Sequence, residues 1–511
     1  MLVGVYVSAF PYHPGLRSPN ELCRLLQARA IVDFGDLDLN RAIQVYGPVG
    51  DLSVYRGRYY PSKAPLMSFA AVPIYFALRS ALGGAPTPVP DLTLVYFARL
   101  FLTVIPTLLT LVWIRRFLRI YVSPASADAV TLTYALGTLA FSYSLLFMSH
   151  QPSAVLIFGA FYGLWRWSRG EASTLTLLFS GCLASAAVLA EYTSTIAVVG
   201  IGLYGFLVLR FQRVPPSRGL SATLLFVAGA IPLTLLLMCY HSRAFGGPFE
   251  SGYRHLADAA YQPWHQGGFL GIGLPRARAF VLSFFSPLRG LFALSPALLL
   301  AVPGLILLFN RARDDTSLKP LAWATLAIVA AYTYFTSAFS YESWGWTTGP
   351  RHLSALMPFL LLPVALTVER ARSTRLRGAC AVLLAASVLF TSALTFINYI
   401  PDDVSNALGA LASPLTQTGY LTPSVLCAFG LTNPLAGIVL WIGVAAIASW
   451  LVWSLRPNGS VLPWIAVIST AAALALFQVM TFSDSPSDRA AFALLRRVWL
   501  APPGHSLHLL P

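Results

Sequence analysis

The chain has 511 residues, of which 57% are hydrophobic and only 10% are charged, and its mean hydropathy is +0.68. A soluble domain of this length cannot bury so many apolar residues, so the composition excludes a soluble globular protein and indicates a polytopic membrane protein. The net charge of +15 comes from basic residues spread between apolar runs, which argues against a nucleic-acid-binding patch and favours a role in membrane orientation.

The chain begins with a short apolar stretch followed by a polar loop. Residues 1–14 are too short to cross a bilayer and contain Pro11 and Pro14, so we expect an incomplete or truncated first span. Residues 15–84 are expected to form a large first loop outside the cytoplasm. Within this loop, residues 59–84 predict an interfacial or re-entrant helix, although their length alone would also permit a full crossing.

Apolar runs long enough for membrane helices follow along the rest of the chain. They lie near residues 92–114, 126–147, 152–165, 172–190, 193–209, 219–240, 291–309, 319–338, 353–368, 378–397, 433–455 and 460–481. We therefore predict an all-α membrane protein of about 12–13 transmembrane helices. Residues 85–400 are expected to form the main transmembrane domain. Residues 401–511 are expected to contain an external loop, the last two spans and a C-terminal tail.

The orientation of the spans follows from the arginines. Arginine-rich loops recur at alternate ends of the predicted spans, at residues 114–119, 166–169, 210–218, 310–315 and 369–377. The positive-inside rule assigns these loops to the cytoplasm, so the acidic first loop faces the other side.

Two acidic motifs stand in the first loop. Ser18-Pro19-Asn20-Glu21 is a capping box, in which Glu21 caps a helix that starts at Pro19. The same carboxylate is also a candidate general base for an acceptor hydroxyl. Asp36-Leu37-Asp38 resembles a metal-binding DxD motif, but no alternating strands and helices surround it, and a solvated turn is the preferred interpretation.

Other polar residues stand where predicted spans meet the external loops. Arg58 and Lys63, one of only two lysines, are placed beside tyrosines and suit a lipid phosphate or an interfacial anchor. Ionisable groups at the ends of spans are candidates for function or are ordinary wetted helix ends. Such ends carry His150, Glu191, Arg351 and His352. The stretches at 245–256 and 283–296 add candidate ligands for phosphate or sugar hydroxyls, namely Arg254, His255 and Arg289.

Three stretches resemble the GT-C superfamily of polyprenyl-phosphate-dependent glycosyltransferases, in particular bacterial relatives of protein O-mannosyltransferases and lipid A aminoarabinose transferases. They are PNELCRLLQARAIVDFGDL, GRYYPSKAPLMSFAAVPIYF, and SPLRGLFALSPALLLAVPGL with the later GPRHLSALMPFLLLP. The resemblance covers roughly residues 15–400. It implies an acidic catalytic residue in the first external loop, often in an Asp-Glu pair. Asn20-Glu21 occupies that place here, so the role would pass to Glu21 or Asp33.

The resemblance also implies that Lys63 holds the donor phosphate and that His150 and Glu191 line the cavity, and the other polar residues near the external face complete the predicted site. The donor phosphate would be held by Arg58, Lys63, Arg254, Arg289 and Arg351. The cavity would be lined by Arg24, Tyr60, His150, Glu191, His255 and His352. No metal ligand is predicted, because the five cysteines are scattered without ligand-like spacing; no cofactor would be required, and a divalent metal would be optional.

The implied reaction is an inverting displacement at the anomeric carbon of a sugar on a polyprenyl phosphate, with a glycan, lipid or protein hydroxyl as acceptor. The protein would lie in the bacterial cytoplasmic (inner) membrane, with its active site on the extracytoplasmic side. The bilayer and the lipid donor are the expected partners, and nucleic acid is not. A transporter or flippase of lipid-linked sugars, and a catalytically inactive relative, remain alternatives.

Overall fold

The structure is a computed structural model that describes residues 1–9, 18–82, 89–212, 214–268, 270–341, 345–397, 400–418, 424–455 and 464–500. Within these ranges the regular secondary structure is helical except for one two-stranded antiparallel hairpin and isolated bridges, and turns and loops connect these elements. The all-α prediction is therefore confirmed. The predicted boundaries at residues 14/15 and 84/85 fall outside the described residues.

The N-terminal part consists of short elements. They are α1 (Leu2–Ser8), α2 (Pro19–Arg29), a π-helical turn (Ala30–Phe34), α3 (Asn40–Tyr46), β1 (Leu52–Tyr55), β2 (Arg58–Pro61) and α4 (Leu66–Ala81). In the hairpin Ser53 pairs with Tyr60. Helix α4 has 16 residues and contains Pro73, so it is shorter than the roughly 20 residues that cross a bilayer. The interfacial or re-entrant position of this helix stays a prediction.

The first group of apolar helices follows. It consists of α5 (Asp91–Arg99), a π-helical turn (Leu100–Val104), α6 (Ile105–Leu118), α7 (Pro124–Gly137), α8 (Leu139–Ser144), α9 (His150–Ser168), α10 (Thr176–Ala190), α11 (Thr195–Phe211) and α12 (Pro216–Phe245). Helix α12 ends where Gly246 adopts a left-handed conformation with φ +84°, which glycine accepts without steric cost. The chain then leaves the bundle for a long loop.

Three short helices lead into the second group, namely α13 (Pro263–Gln266), α14 (Ala277–Phe284) and α15 (Leu291–Leu294). The second group consists of α16 (Ala301–Asp314), α17 (Lys319–Ala338), α18 (Met357–Arg370) and α19 (Thr374–Ile397). The last part contains α20 (Ser413–Gln417), α21 (Val425–Ala428), α22 (Asn433–Ser454), α23 (Trp464–Thr481) and α24 (Pro486–Leu500). Single 3-10 turns precede several of these helices, including Pro296–Leu300 before α16 and Arg351–Leu356 before α18.

Eight helical segments of the described chain are long and apolar enough to cross a membrane, or nine if α23 and α24, which meet at 101°, form one span. The chain is therefore an integral membrane protein, with fewer full-length spans than the predicted 12–13. Helices cover most of the described residues of all twelve apolar runs, but the run at 126–147 is broken at Thr138 and the run at 172–190 yields a 15-residue helix. Most residues of α7 and α8 are buried. A helix that is surrounded by protein can be interrupted at membrane depth, whereas a lipid-exposed helix must stay continuous.

Helix packing depends on glycine at one close crossing. A Cβ atom on Gly181 of α10 would lie 1.8 Å from the carbonyl oxygen of Phe226, and one on Gly229 of α12 would lie 1.9 Å from that of Leu178. The backbones of α10 and α12 therefore touch, as small residues permit between membrane helices. Other packed pairs include α7 with α19, α11 with α17, and α16 with α18.

The first loop and the loop after α12 are joined to each other. Ser53 of β1 forms a bridge with Leu256, and its hydroxyl donates to the Gly252 carbonyl at 2.7 Å. Tyr60 of β2 is buried with Tyr240 and Phe245 from the end of α12. These contacts hold both loops over the same end of the bundle.

Candidate functional site

A cavity of about 1130 Å³ lies beneath the joined loops, and its wall has an apolar part and a polar part. The apolar part comes from membrane helices α11, α12 and α17, with Val199, Leu237, Met238 and Phe335 among its residues. Only 11% of the apolar span of α12 is buried, so this helix presents most of its surface to lipid. The polar part contains the charged side chains of Asp51, Lys63, Glu191, Arg254, Arg351 and Asp402.

Lys63 follows β2 and reaches the polar part of the cavity. Its side chain is 14% exposed, and its ammonium nitrogen lies 3.4 Å from Asp51 Oδ1 and 5.4 Å from the centre of the Tyr253 ring. Burial alone would lower the pKa of Lys63, but Asp51 and Tyr253 outweigh it, and the net pKa is raised. Lys63 therefore carries a positive charge at neutral pH, as a phosphate-binding group requires.

Asp51 was missed by the sequence analysis. It stands at the start of the hairpin with φ +58°, a left-handed conformation that is uncommon for a residue other than glycine. Its backbone carbonyl accepts a hydrogen bond from the Ser62 amide at 2.9 Å, which closes the hairpin beside Lys63. In the sequence, Gly50-Asp51 has the composition of an ordinary turn, so only the fold reveals its place in the cavity.

Four predicted site residues converge beside Lys63. Glu191 lies between α10 and α11, and its Oε2 atom is 3.3 Å from His150 Nδ1 at the start of α9. The rings of His150 and His352 have centroids 5.4 Å apart. The Ser149 hydroxyl donates to Glu191 Oε2 at 2.7 Å and accepts from Arg24 at 3.1 Å. The structure thus brings together Arg24, His150, Glu191 and His352, and their role in a functional site stays a prediction.

The four arginines predicted to hold the donor phosphate take three different positions relative to the cavity. Arg351 and Arg254 line the cavity, although Arg254 is also paired with Glu250 at 2.9 Å. Arg289 contacts it indirectly, through an ion pair with the cavity-lining Asp402. Arg58 is 67% exposed and lies 3.5 Å from Asp38. Arg58 is thus outside the set of described residues that line the cavity.

Two predicted aromatic residues support the rim. His255 stacks on Phe245 with centroids 5.7 Å apart, and its Nε2 atom is 3.8 Å from Glu250. Tyr60 packs edge-on against Phe245. Neither His255 nor Tyr60 is among the described cavity-lining residues, so both act by holding the loops together.

Glu21 does not reach the cavity. It is 0% exposed, and both of its carboxylate oxygens accept hydrogen bonds from Arg99, which is 3% exposed, at 2.9 and 2.8 Å. The Phe147 amide donates to the same carboxylate. Helix α2 begins at Pro19 as expected, but Ser18 makes no side-chain capping bond. Of the Asn20-Glu21 pair, it is Asn20 that lines the cavity.

The other acids of the first loop are also engaged elsewhere. Asp33, expected as an alternative base, accepts hydrogen bonds from Tyr46 at 2.6 Å and Tyr75 at 2.8 Å and forms an ion pair with Arg79. It is not part of the described cavity wall. The DxD motif splits, because Asp36 pairs with Arg41 and Asp38 with Arg58. The solvated-turn interpretation of this motif fits the geometry better than a shared metal.

Two further histidines line the cavity and were not singled out from the sequence. The Nε2 atom of His241, near the end of α12, lies 2.9 Å from the Tyr192 hydroxyl. His265 stacks on Tyr253 with centroids 4.5 Å apart. Burial and the nearby Lys63 charge lower the pKa of His265 to about 4, so its ring is neutral at physiological pH.

The described structure therefore defines a polytopic helical membrane protein with an amphipathic cavity at one end of the bundle. No protein-family model matches the chain, and no curated protein sequence matches it.

Among solved structures the chain is similar to ArnT from Cupriavidus metallidurans. The structure bound to undecaprenyl phosphate gives 13% identity and a TM-score of 0.45, covering 94% of this chain and 76% of that one. The apo structure gives 14% identity and a TM-score of 0.46, covering 93% of this chain and 75% of that one. The chain is also similar to the Archaeoglobus fulgidus oligosaccharyltransferase in its apo form, with 10% identity and a TM-score of 0.45, covering 99% of this chain and 60% of that one. At these identities and TM-scores, the similarities assign no activity to this chain.

Proposed function

We propose that the protein is a membrane glycosyltransferase that moves a sugar from a polyprenyl-phosphate donor to an acceptor hydroxyl. The observation that carries this proposal is the two-part wall of the cavity. A polyprenyl chain needs an apolar surface open to lipid, which α11 and α12 supply through residues such as Val199 and Met238. A phosphate and a sugar need fixed cations and hydrogen-bonding groups, which lie at the polar end.

The phosphate is assigned to Lys63 and Arg351. Both line the polar part of the cavity, and Lys63 is held charged beside Asp51. As the bond from the anomeric carbon to the phosphate oxygen breaks, negative charge develops on the leaving phosphate. Cations already fixed in a partly buried site stabilise that charge without reorganising, so neither a metal nor a nucleotide is needed for this step.

The general base is assigned to Asp51, because Glu21 and Asp33 are engaged outside the cavity wall. A base must approach the acceptor hydroxyl close to the reacting carbon, and Asp51 is adjacent to the proposed phosphate ligand Lys63. The acceptor oxygen attacks the anomeric carbon and gives its proton to the Asp51 carboxylate. The sugar–phosphate bond breaks, and its electron pair leaves with the polyprenyl phosphate, so the configuration at the anomeric carbon is inverted.

The orientation of the cavity is assigned to the extracytoplasmic side of a bacterial cytoplasmic membrane. Helix α9 starts at the cavity-side His150 and carries Arg166 in its last turn, and α18 follows Arg351 and ends at Arg370. The arginine-rich ends of these helices are therefore opposite to the cavity. The positive-inside rule assigns those ends to the cytoplasm. The cavity, at the opposite end of the helices, would then face the extracytoplasmic side.

A second candidate is a protein that binds the lipid phosphate without transferring the sugar. It is favoured by one observation: the side chain that lines the cavity at the place of the acidic pair is the amide of Asn20, while Glu21 is buried against Arg99. Both candidates require donor binding, and only the first requires turnover.

The test uses the full-length protein in liposomes with a panel of radiolabelled polyprenyl-phosphate sugars and a membrane extract as acceptor. Release of free polyprenyl phosphate is measured for the wild type and for Asp51→Asn. Asp258→Asn is the matched control, because Asp258 is an exposed carboxylate of the same rim that caps a turn and is not among the described cavity-lining residues.

The proposal predicts turnover with one donor. Asp51→Asn should lower this turnover by at least 100-fold, because a general base contributes about 10²–10⁴-fold. Asp258→Asn should leave it within a factor of two. Donor binding without turnover in the wild type would favour the binding protein. Turnover that is unchanged in Asp51→Asn would refute the assignment of the base.

A further inference from the structure

Three metal-ligating side chains meet at the wall of the cavity. His150, Glu191 and His352 each offer one ligand atom, and these three atoms lie within 4.8 Å of one another. Among the described residues, this is the one group of three or more such side chains that could hold an ion. We propose that it is a binding site for a divalent transition metal, with zinc as the best match to its donor atoms.

The three ligands come from separate parts of the chain. His150 opens α9, Glu191 stands between α10 and α11, and His352 lies in the turn before α18. Ionisable groups at the membrane ends of three helices are costly to keep and are usually retained for function. Helix packing alone does not require all three to point to one place.

The donor set selects the kind of metal. Two imidazole nitrogens and one carboxylate oxygen form a ligand set of the kind that binds zinc with a position left open. Magnesium and calcium prefer oxygen ligands alone, so they fit this group less well. Glu191 and His352 both line the cavity, so open coordination positions of the ion would face the space where a ligand enters.

An outer hydrogen bond orients the carboxylate. The Ser149 hydroxyl donates to Glu191 Oε2 at 2.7 Å and itself accepts from Arg24 at 3.1 Å. Metal-binding side chains are commonly fixed in this way by a second layer of polar groups. The ion would replace the present 3.3 Å contact between His150 Nδ1 and Glu191 Oε2.

Positive side chains near the site oppose a bound cation. Arg24, Lys63 and Arg351 all lie close enough to act on His150 electrostatically, so the single carboxylate cannot attract a hard cation by charge alone. The affinity must come from the imidazole nitrogens, which again favours zinc and cobalt over magnesium.

The test measures metal binding by the full-length protein, free of any polyhistidine tag, in nanodiscs and without a sugar donor. It is therefore independent of the proposed transferase activity. The protein is stripped with a chelator and titrated with Co²⁺, whose visible absorption reports coordination, and Zn²⁺ is then added as a competitor. We expect one equivalent of Co²⁺ per chain, displaced by Zn²⁺.

His150→Gln and His352→Gln should each weaken Co²⁺ binding at least tenfold. The matched control is His265→Gln, a cavity-lining histidine outside the group, which should leave binding unchanged. Glu191→Cys should bind Co²⁺ with a new near-ultraviolet thiolate-to-cobalt band, which reports ligation by residue 191 directly. Each variant is first checked for a monodisperse gel-filtration profile.

The thiolate band keeps the proposal falsifiable if a glutamine variant fails to fold. No Co²⁺ binding by the wild type would overturn the proposal, as would binding that persists in both histidine variants or a Glu191→Cys complex without the thiolate band. In those cases the Glu191–His150 contact would be a hydrogen bond that positions the cavity wall.

Discussion

Replacing Glu21 tests whether its carboxylate supports the fold or the reaction. In Glu21→Gln the side chain keeps one oxygen, but an amide group that donates hydrogen bonds replaces the second oxygen and faces the Arg99 guanidinium. The guanidinium is 3% exposed and then loses its charge partner. Breaking a buried ion pair from one side costs about 3–5 kcal/mol. We expect the lower end of this range, because one acceptor remains, which is still roughly a hundredfold in the folding equilibrium.

The assay is a double-mutant cycle on thermal unfolding in detergent. Unfolding is followed with a thiol-reactive dye in a background that carries Cys182→Ser, Cys239→Ser and Cys427→Ser, because these three thiols are exposed or partly exposed. The remaining Cys23 and Cys380 are buried and react only when the bundle opens. Glu21→Gln and Arg99→Gln should each lower the apparent melting temperature. The double variant should be less destabilised than the sum of the two, because it no longer buries an unpaired charge. A Glu21→Gln protein with wild-type stability and no turnover would refute this reasoning and would return Glu21 to the role of base.

Three further predictions concern binding, packing and pH. Lys63→Met should weaken polyprenyl-phosphate binding in nanodiscs by about 10–100-fold, the loss expected for a charged hydrogen bond, whereas Arg254→Gln should cost less than about threefold because that arginine is half exposed and paired. Gly181→Val should lower the apparent melting temperature through overpacking worth about 1–3 kcal/mol, while Gly202→Val, with no atom near its would-be Cβ, should not. Since the folded pKa of His265 is about 4, below its ordinary 6.5, the unfolded chain binds the extra proton between these values. Stability should therefore fall as pH drops from about 6.5 to about 4, and His265→Asn should flatten that dependence.

The sequence placed the helices well because membrane length and hydrophobicity act locally. The run predicted at 319–338 coincides with α17, and the run at 378–397 ends with α19 at Ile397. The break at Thr138 was missed because its cause is tertiary. A Cβ atom on Gly137 would lie 2.9 Å from the backbone nitrogen of Val388 in α19, and no property of the run itself indicates that contact.

The candidate site was partly predictable for a different reason. Lys63, Glu191 and Arg351 could be found because a charge among apolar runs has few structural uses. Asp51 and Asp402 could not, because each stands in a polar loop where an acid is common. Only the folded hairpin and the ion pair of Asp402 with Arg289 bring these two acids to the cavity.

The acidic cluster of the first loop shows why charge density in a sequence is a weak guide to catalysis. All four of its acids are paired, Glu21 with Arg99, Asp33 with Arg79, Asp36 with Arg41, and Asp38 with Arg58. For Glu21 the partner lies 78 residues away in another helix, so the pairing is invisible along the chain. A buried carboxylate without a partner would be costly. The ion pairs of these four acids therefore have a structural explanation that does not require a catalytic role. The acids that face the cavity, Asp51, Glu191 and Asp402, instead converge from separate segments of the chain, which is the pattern expected of groups kept for a ligand.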